Sequence, residues 1–135
     1  MLYPIAIEKG SDTEAYGVQV PDISGCFSAG DSFEEALKNV KEAIAFHLEG
    51  LVEDGEDIPL ASSIDNHINN QDYQGMVWAI VDVDVSRYLG KAKKINVTLP
   101  SRLIELIDDR LKHDSRFPSR SAFLAEGAES LLRTH

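Results

Sequence analysis

The stretch KKINVTLPSRL, residues 93–103, alternates polar and apolar side chains up to a proline. This alternation predicts a half-buried β-strand with one polar and one apolar face. The polar positions are Lys94, Asn96 and Thr98, and the apolar positions are Ile95, Val97 and Leu99. Pro100 ends the pairing, and helical spacing follows, so no second strand is available for a hairpin.

Two helices are predicted after Pro100. The first has an apolar stripe that ends near His113 and consists of Leu103, Ile104, Ile107 and Leu111. Ser119 can cap the second helix. The apolar positions of that helix are Phe123, Leu124, Ala128, Leu131 and Leu132.

This strand–helix–helix segment needs a partner, because a unit of about forty residues rarely buries a sufficient core by itself. We predict a homodimer, or a higher oligomer, in which two copies of the strand pair antiparallel and the apolar side faces the helices. The predicted dimer core consists of Ile95, Val97, Leu99, Leu103, Ile107, Phe123 and Leu124. The outward polar side forms a two-stranded ribbon, which fits the DNA major groove.

Charge is distributed unevenly along the chain. Residues 1–90 contain 4 Lys/Arg and 17 Asp/Glu, whereas residues 91–135 contain 9 and 6. Only the second segment can favourably replace the counterions around a phosphate backbone, which indicates two surfaces with different partners. The acidic segment can also be read as a solvated surface that keeps the protein soluble.

The acidic half predicts an antiparallel sheet with one long helix. Residues 2–8 and 15–20 are strand-like and flank turn residues, so they are expected to form a hairpin, and residues 76–85 are a further strand. Residues 62–74 are interpreted as a polar loop. The S-x-x-E spacing of Ser32 and Glu35 marks the start of the helix. Its apolar stripe is Phe33, Leu37, Val40, Ile44, Leu48 and Leu51, and Gly55 and Pro59 are its expected stop.

Composition excludes several classes of protein. The apolar runs are far shorter than the roughly 20 residues that a membrane span needs, and the N-terminus lacks the pattern of a signal peptide, so a cytoplasmic location is expected.

Cys26, the single cysteine, has no second cysteine with which to form a disulfide or a zinc site, and a packing role near a turn is expected.

Two stretches carry a family resemblance. KINVTLPSRLIELIDDRLK and SRSAFLAEGAESLL together resemble a ribbon-helix-helix repressor domain. YPIAIEK and YGVQVPDISGCFSAGDSFEEALKNVKEAIAFHLEGLVEDGEDIP resemble the N-terminal domain of HicB antitoxins, through the ordered pattern PD-SGC-S-GD-EEAL-N-EA. The resemblance implies a partial RNase-H-like domain that inhibits a HicA-type, RNA-cleaving toxin. It also implies a domain that represses the operon encoding both proteins.

DNA-binding roles can be assigned to particular residues. Lys94 can donate to guanine, Asn96 can bond adenine, and Thr98 can contact a base through its hydroxyl or methyl group. The family pattern adds phosphate contacts at the start of the second helix, from Ser119, Arg120 and Ser121. Ala122 departs from the acidic residue often found at that point in the family, which leaves the capping box incomplete.

No catalytic, metal or cofactor site is expected. The carboxylates that could suggest a two-metal nuclease are Asp22, Asp31, Asp82 and Asp84. They lie in turn-like sequence or on one exposed strand face, where local or solvated roles are ordinary. The four histidines do not have the spacing of a metal site.

The expected fold is therefore α+β. A HicB-like toxin-binding domain spans residues 1–88, residues 89–93 form a linker, and a dimeric ribbon-helix-helix domain spans residues 94–135. The favoured function is an antitoxin and autorepressor whose partners are a HicA-type toxin and operator DNA. The alternatives are a ribbon-helix-helix regulator with a ligand-sensing N-terminal domain and an RNase-H-like nuclease.

Overall fold

A computed structural model describes residues 1–133. The protein is a mixed α+β structure that divides into two compact units, Met1–Gly90 and Lys91–Leu132. The predicted end of the C-terminal domain, at residue 135, lies outside the described residues. No helix within residues 1–133 has the length and apolar character needed to cross a membrane.

The first unit contains an antiparallel sheet of four strands in the order β3-β2-β1-β4. The strands are β1 (Leu2–Glu8), β2 (Tyr16–Gln19), β3 (Phe27–Gly30) and β4 (Val77–Asp82). The predicted hairpin is confirmed, because β1 and β2 pair antiparallel with Ile7 opposite Val18. Both of these side chains are 2% exposed, as expected for the apolar face of an alternating strand.

The strand β3 was not predicted, since the sequence after Pro21 reads as a turn. The structure pairs Phe27 with Gln19 and Gly30 with Tyr16. The strand is short and Phe27 is 64% exposed, so it lacks a clear apolar alternation. Gly30 allows β3 to end against the following helix, because a Cβ atom there would lie 2.4 Å from the Ala36 nitrogen.

The long helix α1 (Phe33–Glu53) begins and ends close to the predicted positions. The Ser32 side chain accepts a hydrogen bond from the Glu35 amide at 3.1 Å, which satisfies a free donor of the first turn. After the last turn, Gly55 adopts φ +75°. The Glu56 amide donates to the Leu51 carbonyl at 2.9 Å, so the stop at Gly55 follows the usual glycine C-cap.

The core of this unit lies between the sheet and α1. The helix contributes a fully buried stripe, and the sheet contributes the apolar side of β1 and β2. The members with the lowest exposure are Tyr3, Ile5, Ala36, Val40, Ile44 and Leu48. Tyr3 also donates its hydroxyl proton to the Pro59 carbonyl at 2.7 Å, which fixes the chain beyond α1 to the sheet.

The strand β4 ends earlier than predicted, at Asp82 instead of Val85. Asp84 accepts hydrogen bonds from the Ser86 amide at 3.0 Å and the Ser86 hydroxyl at 2.7 Å. These bonds turn the chain into a 3-10 turn at Ser86–Tyr88. The alternation of buried valines continues beyond the strand to Val85. The apolar alternation in the sequence therefore could not show where the pairing of β4 ends.

The second unit contains α2 (Ser101–His113) and α3 (Arg120–Leu132), which confirms both predicted helices. Ser119 caps α3, since its hydroxyl accepts from the Ala122 amide at 3.1 Å. The connecting turn contributes Phe117, a core residue that the periodicity did not identify. It is 8% exposed, and its ring lies edge-on to Phe123 with centroids 5.1 Å apart.

Candidate functional site

The segment that precedes α2 presents its polar residues to solvent. Lys94, Asn96 and Thr98 are all exposed, and the segment belongs to no helix or strand among the described residues. Its apolar residues are exposed too, with Ile95 at 76% and Val97 at 59%. A β-ladder needs a second strand as hydrogen-bond partner. The predicted two-stranded ribbon, and the roles of its polar residues in reading DNA, therefore stay predictions.

The two-helix unit buries few of its apolar side chains. Ile107 is 5% exposed, while Leu99, Phe123 and Leu124 are only half-buried. Large apolar residues left exposed on the helices include Leu103 at 42%, Leu106 at 50% and Leu131 at 87%. Leu103 and Leu106 are three residues apart and share one face of α2, and exposed apolar surface on one face is typical of an interaction face.

Arg120 is held by a carboxylate of the neighbouring helix. Its Nε donates to Asp108 Oδ1 at 2.8 Å and its Nη2 donates to Asp108 Oδ2 at 2.7 Å. This ion pair lowers the pKa of Asp108 and raises that of Arg120. Arginine has five N–H donors, and Nη1 takes no part in these two bonds. Ser121, the third predicted phosphate contact, is exposed.

The turn between α2 and α3 is organised by Asp114. Its carboxylate accepts from Arg116 Nη2 at 2.7 Å and from Arg110 Nε at 3.1 Å. Hydrogen bonds from Arg116, and then those from Arg110, hold the pKa of Asp114 well below its ordinary value. These bonds link the last turn of α2 to the turn that leads into α3.

A compact polar cluster joins distant segments of the first unit. The Ser62 amide donates to Asp22 Oδ2 at 2.7 Å and the Ser62 hydroxyl donates to Oδ1 at 2.6 Å. His67 Nε2 lies 2.9 Å from Asp22 Oδ1 and 2.8 Å from Ser62 Oγ. The His67 ring stacks on Trp78 with centroids 6.3 Å apart, and Tyr73 meets Trp78 edge-on at 5.5 Å.

This cluster does not have the geometry of a nucleophilic triad. In a triad the serine proton goes to one ring nitrogen of histidine and the carboxylate holds the other nitrogen. Here the Ser62 hydroxyl donates its proton to Asp22 Oδ1. Ser62 Oγ and Asp22 Oδ1 both lie within hydrogen-bond distance of the same His67 nitrogen, Nε2. The arrangement therefore pins the polar loop at residues 62–74 to the turn after β2.

The four aspartates considered for two-metal chemistry have separate surroundings. Asp22 belongs to the Ser62 cluster, Asp82 accepts from the N-terminal amine at 3.2 Å, and Asp84 binds Ser86. Asp31 instead lines an open hollow beside the β1–β2 turn. Within the described part of the chain, no group of three or more His, Cys, Asp or Glu residues is placed to hold a metal ion.

Cys26 has the character of a core residue. It is 3% exposed and belongs to the cluster between the sheet and α1. Burial raises the pKa of its thiol. Since the thiolate is the reactive form, this environment suppresses its chemistry, and its position agrees with the packing role expected from the sequence.

Comparison with known proteins identifies the family. Residues 3–128 match the family described as "HicB_like antitoxin of bacterial toxin-antitoxin system". The chain belongs to the HicB-like antitoxins. Among relatives of this family member, an uncharacterized 14.9 kDa protein from the rep-hol intergenic region of Haemophilus phage HP1 is 46% identical over 98% of both chains.

Two solved structures extend the similarity to the fold of this HicB-like antitoxin. The crystal structure of the Burkholderia pseudomallei antitoxin HicB has a TM-score of 0.71 and 40% identity, and covers 98% of this chain and 99% of that one. A chain of a HicA3 and HicB3 toxin–antitoxin complex has a TM-score of 0.54 and 34% identity, with coverage of 62% and 99%.

Two features of these sites were not predicted from the sequence. The contact of Asp22 with His67 leaves no local signal, because it joins residues 45 positions apart. Arg120 was predicted to bind phosphate, but its partner Asp108 was not predicted. An arginine at the start of one helix and an aspartate on the helix before it could have suggested the pair, although the turn geometry decides whether they meet.

Proposed function

We propose that this chain is an antitoxin that binds and inhibits a HicA-type, mRNA-cleaving toxin through residues 1–88. We further propose that residues 94–135 bind operator DNA and repress the operon that encodes both proteins. Membership of the HicB-like family supports the first role. The similarity to a chain of the HicA3 and HicB3 complex supports the toxin as partner.

The charge of the first segment suits that partner. An enzyme that holds RNA needs a cationic surface, because the RNA backbone is a line of phosphates. Residues 1–90 contain 17 Asp/Glu and 4 Lys/Arg. An acidic domain attracts such a surface over a distance and speeds the encounter. We propose that this domain has the partial RNase-H-like fold that the family resemblance implies, and its antiparallel sheet and single long helix support this proposal.

The DNA-binding role depends chiefly on one observation. Ile95 and Val97 are 76% and 59% exposed in the single chain, and they alternate with exposed Lys94 and Asn96. A second copy that pairs antiparallel would cover the apolar residues and leave the polar ones outward. The product is a ribbon-helix-helix homodimer that reads the major groove through Lys94, Asn96 and Thr98, with phosphates bound at Ser119, Arg120 and Ser121. We therefore propose a cytoplasmic location.

Point substitutions in the ribbon test whether the two roles use separate surfaces. Asn96→Ala, and separately Lys94→Ala, should weaken operator binding by about 1–3 kcal/mol for each lost base contact. Toxin neutralisation should persist, because neither residue lies in the acidic domain. Operator affinity is measured by fluorescence anisotropy and toxin activity by cleavage of an RNA substrate. Loss of both activities in a folded variant would contradict the two-surface proposal.

A further inference from the structure

Phe46 is an exposed aromatic residue on the outward face of α1. Its side chain is 80% exposed, although a helix of this kind normally buries its aromatic residues. The helical repeat places it opposite the buried stripe of Val40, Ile44 and Leu48. The exposed charged residues that share this face are Glu35, Lys38, Glu42, Glu49 and Glu53. Phe46 is therefore an apolar side chain within a predominantly acidic surface.

Gly50 lies one turn after Phe46, on the same side of the helix. A glycine inside a helix is less favourable than alanine, because it has more backbone freedom to lose. A Cβ atom at Gly50 would meet no described atom within 4 Å, and its φ is not positive. Nothing within the described chain requires glycine here, whereas a partner that approaches the helix closely would.

The C-terminal end of α1 carries charge of the unfavourable sign. The last turn contains Glu53 and no basic residue, and Asp54, Glu56 and Asp57 follow it. The carbonyl end of a helix has a partial negative charge, which cations stabilise and anions do not. A cationic partner at this end would relieve repulsion that the isolated chain retains.

We propose that the α1 patch, defined as Glu42, Phe46, Glu49, Gly50 and Glu53, is the surface that binds the toxin. This inference rests on the proposed function and adds the location of the interface. Phe46 enters an apolar pocket of the partner, and Lys and Arg residues around that pocket meet the glutamates. Interfaces are commonly organised in this way, with an aromatic anchor inside a polar rim. A second copy of this chain is a poor occupant, because two acidic patches repel.

Phe46→Ala in the full-length protein tests the location. We expect toxin affinity, measured by isothermal titration calorimetry, to fall at least about 30-fold, as for a hot-spot residue. The thermal midpoint and operator affinity should stay unchanged, because Phe46 packs little within its own chain. The matched control is Phe27→Ala. Phe27 is 64% exposed and pairs with Gln19 on β2. Successive side chains of a strand point to opposite faces. Because Val18 faces the helix, its neighbour Gln19 and the paired Phe27 lie on the sheet face away from α1.

The possible outcomes distinguish failure of the α1 patch from failure of the proposed antitoxin function. Toxin affinity of Phe46→Ala within about threefold of the parent overturns the α1 patch, and so does a loss confined to Phe27→Ala. A lower oligomeric state of Phe46→Ala with unchanged toxin affinity also overturns it, because the patch would then join copies of this chain. Failure of the parent protein to bind the toxin overturns the proposed function as well.

Gly50→Ala tests the close approach at the patch. The added methyl group should raise the thermal midpoint of the free protein, since it meets no described atom within 4 Å and alanine favours the helix. It should also weaken toxin binding by about tenfold, as expected for a small steric conflict in a packed interface. A variant that binds the toxin as tightly as the parent would exclude close approach at Gly50.

Discussion

Arg120, at the start of α3, forms a two-bond ion pair with Asp108 of α2, with N–O distances of 2.8 and 2.7 Å. Paired bonds of this geometry fix the orientation of a guanidinium group. The pair therefore orients the guanidinium group of Arg120, the arginine predicted to bind phosphate, and Nη1 takes no part in these two bonds. Its strength is limited by solvent, because both side chains are more than one-third exposed.

Arg120→Ala should lower affinity for all DNA sequences by a similar factor, because a phosphate contact carries no sequence information. The slope of log K against log salt should decrease in magnitude by about 0.9 for each lost phosphate contact, or about 1.8 for the homodimer. Both quantities are measured by anisotropy titrations at several salt concentrations. Asp108→Ala is the control, since it breaks the same pair but keeps the cation. Equal losses in the two variants would show that Arg120 acts only by joining the helices.

Ile95→Asp should convert the protein to a lower oligomeric state and abolish operator binding. A charge at Ile95 would be buried without a partner in the proposed ribbon, which is strongly unfavourable. Sedimentation equilibrium measures the association and anisotropy measures DNA binding. Lys91→Asp adds the same side chain outside the proposed pairing and should retain the dimer. A dimeric Ile95→Asp protein that still binds the operator would rule out the ribbon.

Asp22→Ala should destabilise the first unit, because it leaves the buried amide and hydroxyl of Ser62 without their acceptor. Such unsatisfied groups cost about 1–3 kcal/mol of unfolding free energy, which urea denaturation followed by tryptophan fluorescence can measure. Trp78 lies beside the cluster through its stacking with His67. The exposed Asn69 of the same loop provides a control, since Asn69→Ala should change stability by less than about 0.5 kcal/mol. Equal stability of the two variants would contradict the pinning role.

Acid should weaken the second unit through Asp114. Arg116 and Arg110 hold the pKa of this carboxyl below that of the unfolded chain. Its contribution is therefore complete above the ordinary aspartate pKa of about 3.9, declines as the pH falls below that value, and disappears only when the pH falls through the depressed pKa of the folded protein. Thermal unfolding followed by circular dichroism should show that Asp114→Asn is less stable than the parent at neutral pH. The difference should shrink toward about pH 3, and a constant difference would contradict the assignment.

The elements that the sequence predicted correctly have strong local signals. The stripe of α1 and the Ser32 cap lie within a few turns of each other, and β1 and β2 are joined by a short turn. By contrast, β3 has four residues with an exposed Phe27, so nothing in its composition distinguishes it from a loop. Its pairing with β2, which runs from Gln19–Phe27 to Tyr16–Gly30, is set by the turn between the two strands, and the residues after Pro21 do not identify that turn as a hairpin.

The candidate sites were predictable to the extent that their chemistry is visible in residue type. Alternation identified the polar side chains at Lys94, Asn96 and Thr98, and the cap identified Ser119. The ion pair of Arg120 and the cluster at Asp22 depend on three-dimensional contacts between separate segments. Phe46 was absent from the predicted apolar stripe, but only the structure gives its exposure of 80%.

Under the proposed function, the uncovered Ile95 and Val97 link the control of transcription to the abundance of the protein. If the operator is read only by a paired ribbon, its occupancy at low concentration rises with the square of the amount of free chain, because two molecules must first meet. A modest fall in supply, through slower synthesis or faster proteolysis, would then release the promoter disproportionately. Through the exposed side chains, repression would thus depend steeply on the cellular concentration of the protein.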